Sequence, residues 1–144
     1  MAEQVIDASI AIKWLIDDEP FCDNARKLLF NAKQAGLMLI APPILVYEVE
    51  SVLQFRLRRS LASLSAVDES LDTFYDISVK ILTHPDMVIY ARKIARSFQQ
   101  NRIYDSLYAA LAELRGCEFW TADKVFFNAV SLELQFVKYL PDYS

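Results

Sequence analysis

Leu37-Met38-Leu39-Ile40-Ala41 is an unbroken apolar run that stops at Pro42-Pro43. A strand with one wet face alternates apolar and polar residues, whereas a strand covered on both faces is apolar throughout and belongs to a parallel sheet roofed by helices. The rest of the chain fits that demand. Val5-Ile6-Asp7 predicts a first short strand, and Ser9 ahead of Ile10-Ala11-Ile12-Lys13-Trp14-Leu15-Ile16 predicts a capped helix. Phe21, Ala25, Leu28, Leu29 and Ala32 recur at helical spacing up to a stop at Gly36. After the second strand, Val46, Val49, Val52, Leu53, Phe55 and Leu57 carry a long helix from Ile44, and Ser65 with Asp68 and Glu69 signals the cap of another, running to about Tyr75. Ile77 to Leu82 alternates like a strand. Thr83-His84-Pro85-Asp86 reads as a cap with proline in the first turn of a helix reaching about Gln100, with His84 serving the cap and turn. Tyr104–Leu114 reads as helix, Glu118–Thr121 as strand, Asp123–Leu134 as helix and Phe136–Leu140 as a last short strand. The order β-α-α-β-α-α-β-α-α-β-α-β predicts a three-layer α/β/α domain with a short, mainly parallel central sheet and right-handed crossovers. No linker, repeat or low-complexity segment interrupts it, so residues 1–144 are expected to form a single domain.

Composition narrows the chemistry. With 54% hydrophobic residues in 144, the chain can close one core without help. Its two glycines, Gly36 and Gly116, cannot supply the spaced glycines of a phosphate-wrapping P-loop or dinucleotide-binding turn. Fifteen Lys and Arg against nineteen Asp and Glu give a net charge of −4, the wrong sign for a protein that coats nucleic acid, so any such contact must be local. Cys22 and Cys117 stand far apart and outside any C-x-x-C pattern, which suggests two buried reduced thiols. Met1-Ala2-Glu3-Gln4 carries no positive segment of a signal peptide, and no apolar stretch approaches the roughly 18 residues of a membrane span. A cytoplasmic protein without membrane contact is expected.

Four acids fall where an open parallel sheet binds ligands, outside the carboxyl ends of its strands. Asp7 closes the first strand, Glu48 lies in the first turns of the helix after the second, Asp105 opens a late helix, and Asp123 follows Phe119-Trp120-Thr121 directly. Asp105 and Asp123 could equally be helix caps. Glu48 could face solvent together with Glu50 on an amphipathic helix. Asp7 is more demanding, because an acid at the end of a buried strand must be paired, hydrogen-bonded or bound to a cation. Together the four would repel, and only Arg102 and Lys124 are near any of them in sequence. A hard divalent cation is the natural compensation, since Mg²⁺ takes a few carboxylate oxygens plus waters. Zinc fits poorly, His84 being the sole histidine. A carboxylate-only metal site suits phosphodiester cleavage.

These residues bring a family into view. Val5-Ile6-Asp7-Ala8-Ser9-Ile10-Ala11-Ile12-Lys13-Trp14-Leu15, Ala41-Pro42-Pro43-Ile44-Leu45-Val46-Tyr47-Glu48-Val49, Tyr104-Asp105-Ser106-Leu107-Tyr108-Ala109-Ala110-Leu111-Ala112 and Thr121-Ala122-Asp123-Lys124 follow in order along nearly the whole chain. In these four blocks the sequence resembles PIN-domain ribonucleases and, within them, the VapC-type toxins of toxin–antitoxin pairs. The resemblance implies a PIN-like fold and an Mg²⁺- or Mn²⁺-dependent endoribonuclease. In it Asp7, Glu48, Asp105 and Asp123 form the catalytic acidic pocket, with Asp7 and Asp105 as direct metal ligands and Glu48 and Asp123 completing the metal site. It further implies hydrolysis by metal-activated water, products with 5′-phosphate and 3′-hydroxyl ends, no covalent intermediate, a cognate antitoxin protein as partner, and a homodimer. Ser9 and Thr121 could support the carboxylates or a phosphate, or serve as a helix cap and a strand-end hydroxyl. One departure is that Ser131-Leu132-Glu133-Leu134-Gln135-Phe136 lacks the glycine that often turns the chain there in relatives.

Local basic residues would have to meet an RNA substrate. Arg56, Arg58 and Arg59 end the Glu48 helix, while Arg92, Lys93, Arg96 and Arg102 precede Asp105; either group could track a phosphate backbone or be a solvated helix face. Trp14, Phe21 and Leu28 read as core or as part of a partner groove, and Asn128 as exposed helix surface. Two other readings compete with this one. A non-catalytic PIN-fold module binding RNA or a protein partner would tolerate loss of some acids, and all four are present. A phospho-acceptor receiver domain needs an acceptor Asp after the third strand, where Ile81-Leu82-Thr83-His84 offers none.

Overall fold

The computed structural model describes residues 2–144; Met1, part of the opening tetrapeptide, lies outside them. Its elements follow the expected order. They are β1 (Glu3–Ile6), α1 (Ala8–Leu15), α2 (Cys22–Ala35), β2 (Met38–Ala41), α3 (Ile44–Arg58), α4 (Leu64–Ile77), β3 (Lys80–Ile81), α5 (Met87–Ser97), α6 (Tyr104–Arg115), β4 (Glu118–Thr121), α7 (Lys124–Val130) and β5 (Val137–Tyr139), closed by a short 3₁₀ turn at Leu140–Asp142. The sheet order is β3-β2-β1-β4-β5 and every pairing is parallel, as the unbroken apolar run of β2 requires. Helices α1 to α4 pack among themselves, α5 packs along α6, and α6 lies on β1 and β4, giving three layers.

The core sits where the strands are most apolar. Val5, Ile6, Ile40 and Phe119 have no exposed surface, and the Phe119 ring stacks on Tyr108 of α6 at 5.7 Å while Phe126 of α7 tilts against it at 6.3 Å. Trp14 and Leu28 join this core, the Trp14 indole donating to the Ala25 carbonyl. Phe21 does not; it is half exposed, in a left-handed conformation that starts α2. Cys22 is buried and donates to the Ile16 and Glu19 carbonyls, whereas Cys117 is only half-buried, so one of the two expected buried thiols is not fully so. Asn128 is exposed on α7. Among the described residues no helix is long and apolar enough to cross a membrane.

Several boundaries move, each for a local reason. The cap of α1 is Asp7 rather than Ser9: its carboxylate accepts from the Ile10 amide, because the chain turns into helix directly at the end of β1. The cap of α4 is Ser63 rather than Ser65, its hydroxyl accepting from the Ala66 amide at 3.2 Å. Ser63→Ala should therefore cost about 1 kcal/mol in chemical unfolding and Ser65→Ala less than about 0.5. The expected strand over 77–82 shrinks to Lys80–Ile81, both exposed at the sheet edge, where α4 has extended to Ile77. Pro85 precedes α5 instead of entering its first turn, and the His84 ring holds that turn by accepting from the Asp86 amide. Helices α5 and α7 stop at Ser97 and Val130, short of Gln100 and Leu134, and Leu140 leaves β5 for the 3₁₀ turn.

Candidate active site

Strand order sets where a ligand goes. Successive connections leave β1 toward β2 and β3, then cross back to β4 and β5, so the direction of winding reverses between β1 and β4. A crevice opens at the carboxyl ends of that pair. In register, Val5 lies beside Phe119 and Ile6 beside Trp120, which brings the next residues, Asp7 and Thr121, level with each other.

Asp7 is buried, and both its carboxylate oxygens accept hydrogen bonds. Ser9 Oγ donates to Oδ1 at 2.5 Å, Thr121 Oγ1 donates to Oδ2 at 2.5 Å, and the Ile10 amide donates to Oδ1 at 3.3 Å. Both hydroxyls are themselves oriented: the Ala122 amide donates to Ser9 Oγ at 2.8 Å and the Asp123 amide to Thr121 Oγ1 at 3.0 Å. Ser9 and Thr121 thus link the loop after β4 to the carboxylate at the end of β1, and this holds their lone pairs and protons in fixed directions. Burial pushes the Asp7 carboxyl up to about 7, opposed by the two hydroxyls and reinforced by the charge of Asp105.

Asp105 and Asp123 resolve differently on capping. Asp123 does cap α7, accepting from the Phe126 amide at 3.0 Å. Asp105, in the first turn of α6, caps nothing; among the described residues its half-buried carboxylate accepts no hydrogen bond. Burial first, then the charges of Asp123 and Glu48, push its carboxyl up to about 6.

Glu48 is half-buried rather than turned to solvent. Tyr108 Oη donates to its Oε1 at 2.5 Å; burial raises the carboxyl and this bond partly opposes that. Tyr108 is itself fully buried and stacked on Phe119, and burial with the Glu48 charge holds its hydroxyl protonated. Its role was not read from the sequence. The available signal was its position three residues after Asp105, which puts both side chains on one face of α6.

The proposed basic contacts separate. Arg102 is exposed and lines a cavity of about 420 Å³ with Glu48 and Asp105. Arg56 instead pairs with Asp18 at 3.1 Å beside a different cavity. Arg58 stands roughly 15 Å along α3 from Glu48 at a helical rise of 1.5 Å per residue, and Arg59 lies over the Phe55 ring. A second cavity, about 400 Å³ and lined by Ala8, Ser9, Ile12, Glu48 and Val52 among others, meets the first at Glu48.

The four acids therefore share one end of the sheet and feel one another's charge, but they do not close into a tight cage. Among the described residues no three His, Cys, Asp or Glu side chains are gathered closely enough to coordinate one ion. The donors at this end of the sheet are carboxylate oxygens, the type a hard ion such as Mg²⁺ takes together with waters, and the Asp105 carboxylate has no donor among the described residues. The set does not fit zinc, which takes four close ligands.

Residues 5–131 match the family model described as PIN domain. The chain belongs to the PIN domain family, and its fold is a nuclease-type fold. Among solved structures it is similar to the crystal structure of PAE2754 from Pyrobaculum aerophilum, with a TM-score of 0.65 and 20% identity over 89% of this chain and 86% of that one. That likeness concerns the fold. Among curated protein sequences none matches significantly.

Proposed function

We propose that this chain is a Mg²⁺- or Mn²⁺-dependent endoribonuclease of the VapC type, the toxin of a toxin–antitoxin pair, acting in the cytoplasm as a homodimer neutralised by a cognate antitoxin. The observation that carries the nuclease reading is Asp105: a half-buried carboxylate without a protein donor, pressed by Asp123 and Glu48, at the switch point beside Asp7. Burial and mutual repulsion oppose ionising these acids together, and a bound cation would relieve both. Asp7 and Asp105 are assigned as direct ligands, with Glu48 and Asp123 completing the site. A divalent ion bound there supplies a water of lowered pKa and neutralises charge on the scissile phosphate. The protein's part is to hold the carboxylates: Ser9 and Thr121 fix Asp7, the Phe126 amide fixes Asp123, and Tyr108 fixes Glu48. Arg102 meets substrate phosphate locally, which is how a chain of net charge −4 can engage RNA.

The test is incubation of the purified chain with pooled tRNA and rRNA in Mg²⁺, Mn²⁺ or EDTA, with analysis of the fragment ends. Specific fragments with 5′-phosphates that vanish in EDTA are expected. Retained RNA binding without cleavage in either metal would instead support a non-catalytic interaction module. For the toxin role, expression of the chain alone should arrest growth, and co-expression of its cognate antitoxin should restore it.

Tyr108→Phe keeps the ring stack and removes only the bond to Glu48. Calorimetric Mn²⁺ affinity should fall about tenfold, as for other residues that orient metal ligands, with a stability loss of about 1–2 kcal/mol.

A further inference from the structure

The cavity beside the acids has a wall unlike the rest of the site. Besides Glu48 and Asp105 it presents Gln100, Asn101, Arg102 and Tyr104, all contributed by the segment that leads from α5 into α6. Tyr104, the first residue of α6, is half exposed and packs against no other aromatic ring. Among the described residues Arg102 makes no ion pair and the Asn101 side chain no hydrogen bond. Gln100 is anchored: its backbone amide donates to the Ala95 carbonyl at 2.8 Å and its side-chain Nε2 to the Phe98 carbonyl at 3.0 Å, leaving Oε1 as an acceptor.

A flat aromatic face, an unpaired guanidinium and amide groups are the three elements that bind a nucleotide by base, phosphate and base edge. We infer that this cavity is a nucleotide subsite for single-stranded RNA: an unpaired base stacks on Tyr104, Asn101 and Gln100 meet its edge, and Arg102 holds the adjoining phosphate. The assignment rests on the nuclease reading and extends it. Glu48 and Asp105 line the same cavity, so a nucleotide seated here has its neighbouring phosphate beside the carboxylates. A base-paired strand does not fit this arrangement, because stacking on a side chain requires a base taken out of its helix.

Fluorescence anisotropy with a fluorescein-labelled, mixed-sequence single-stranded RNA about 12 nucleotides long, in EDTA and again in Mg²⁺, tests it. Tyr104→Ala should weaken binding about tenfold by loss of one stacking interaction, and Tyr104→Phe should restore it. Arg102→Ala should weaken binding and reduce the slope of log affinity against log salt by about one. Phe30→Ala, removing an exposed aromatic outside the cavity, controls for general surface effects. A hairpin without unpaired bases should bind at least about tenfold more weakly than the single strand. The subsite is overturned if Tyr104→Ala and Arg102→Ala bind as wild type does, if the hairpin binds as well as the single strand, or if wild type binds neither RNA. Cleavage by wild type that disappears in Asp105→Asn, with the Tyr104 and Arg102 variants binding normally, would overturn the subsite and leave the nuclease reading standing. Binding that depends on Tyr104 and Arg102, with no cleavage in any metal, would uphold the subsite and remove the catalytic reading.

Discussion

Asp105→Asn slows metal-dependent RNA cleavage by about a thousandfold or more, the equivalent of roughly 4 kcal/mol of transition-state stabilisation, and leaves the fold intact. The two halves of this expectation come from one feature. The Asp105 carboxylate accepts no hydrogen bond from the described residues, so the fold loses no contact when it becomes an amide. Its charge is disfavoured by burial and by Asp123 and Glu48, so removing it relieves repulsion. Thermal unfolding at pH 8 should be unchanged or shifted upward while the cleavage rate collapses. Full activity in Asp105→Asn would exclude this residue from the chemistry. Asp7→Asn is a less clean probe, because Ser9 and Thr121 already donate to both carboxylate oxygens and an amide would turn a donor toward one of them.

The metal-free protein loses stability as pH rises from about 4 to about 7, and divalent metal reverses that loss. Asp7 has its folded-state value raised to about 7 and Asp105 to about 6, against an ordinary carboxyl value of 3.8. Between the ordinary and the raised values the folded chain binds more protons than the unfolded one, so stability falls with each step upward in pH; below about 4 both states are protonated and the difference disappears. A loss on the order of 2 kcal/mol is expected between pH 5 and pH 8 in EDTA. Because an ion binds only the ionised carboxylates, millimolar Mg²⁺ should raise the unfolding temperature strongly at pH 8 and little at pH 5. Asp105→Asn should make the pH profile in EDTA shallower, the remaining slope coming from Asp7, and should lose most of the response to Mg²⁺. A metal-free profile that rises between pH 5 and pH 8 would contradict the burial of these acids.

The fold was largely legible because its decisive strands are buried on both faces. The apolar run at 37–41 is short and is closed by two prolines, which favours a strand over a helix, and Val5 and Ile6 are fully buried. Legibility failed at the edge. Lys80 and Ile81 are exposed, so no burial pattern marks where β3 begins or ends, and helical propensity carried α4 through Ile77. Two caps fall two residues before the ones expected, Ser63 in place of Ser65 and Asp7 in place of Ser9, since local pattern does not reveal which hydroxyl or carboxylate meets the free amide.

For the site, each acid could be placed at the end of an element from its own neighbourhood, but what holds it could not. The bond from Tyr108 to Glu48 joins residues sixty apart, and the contact of Thr121 with Asp7 depends on the β1–β4 register. For the arginines, nearness in the chain is not nearness in space. Arg56, Arg58 and Arg59 follow Glu48 closely in the chain, yet α3 carries them away, and Arg56 finds Asp18. Arg102 is distant from Glu48 in sequence and shares a cavity with it.

Calorimetric titration of Mn²⁺ into the metal-free wild-type chain and into Asp105→Asn, both at pH 8, tests most directly whether these carboxylates form a metal centre. Saturable binding to wild type that weakens at least about tenfold in the variant is the predicted result. Wild type that takes up no Mn²⁺ at millimolar concentration, or a variant that binds it equally well, would contradict the account.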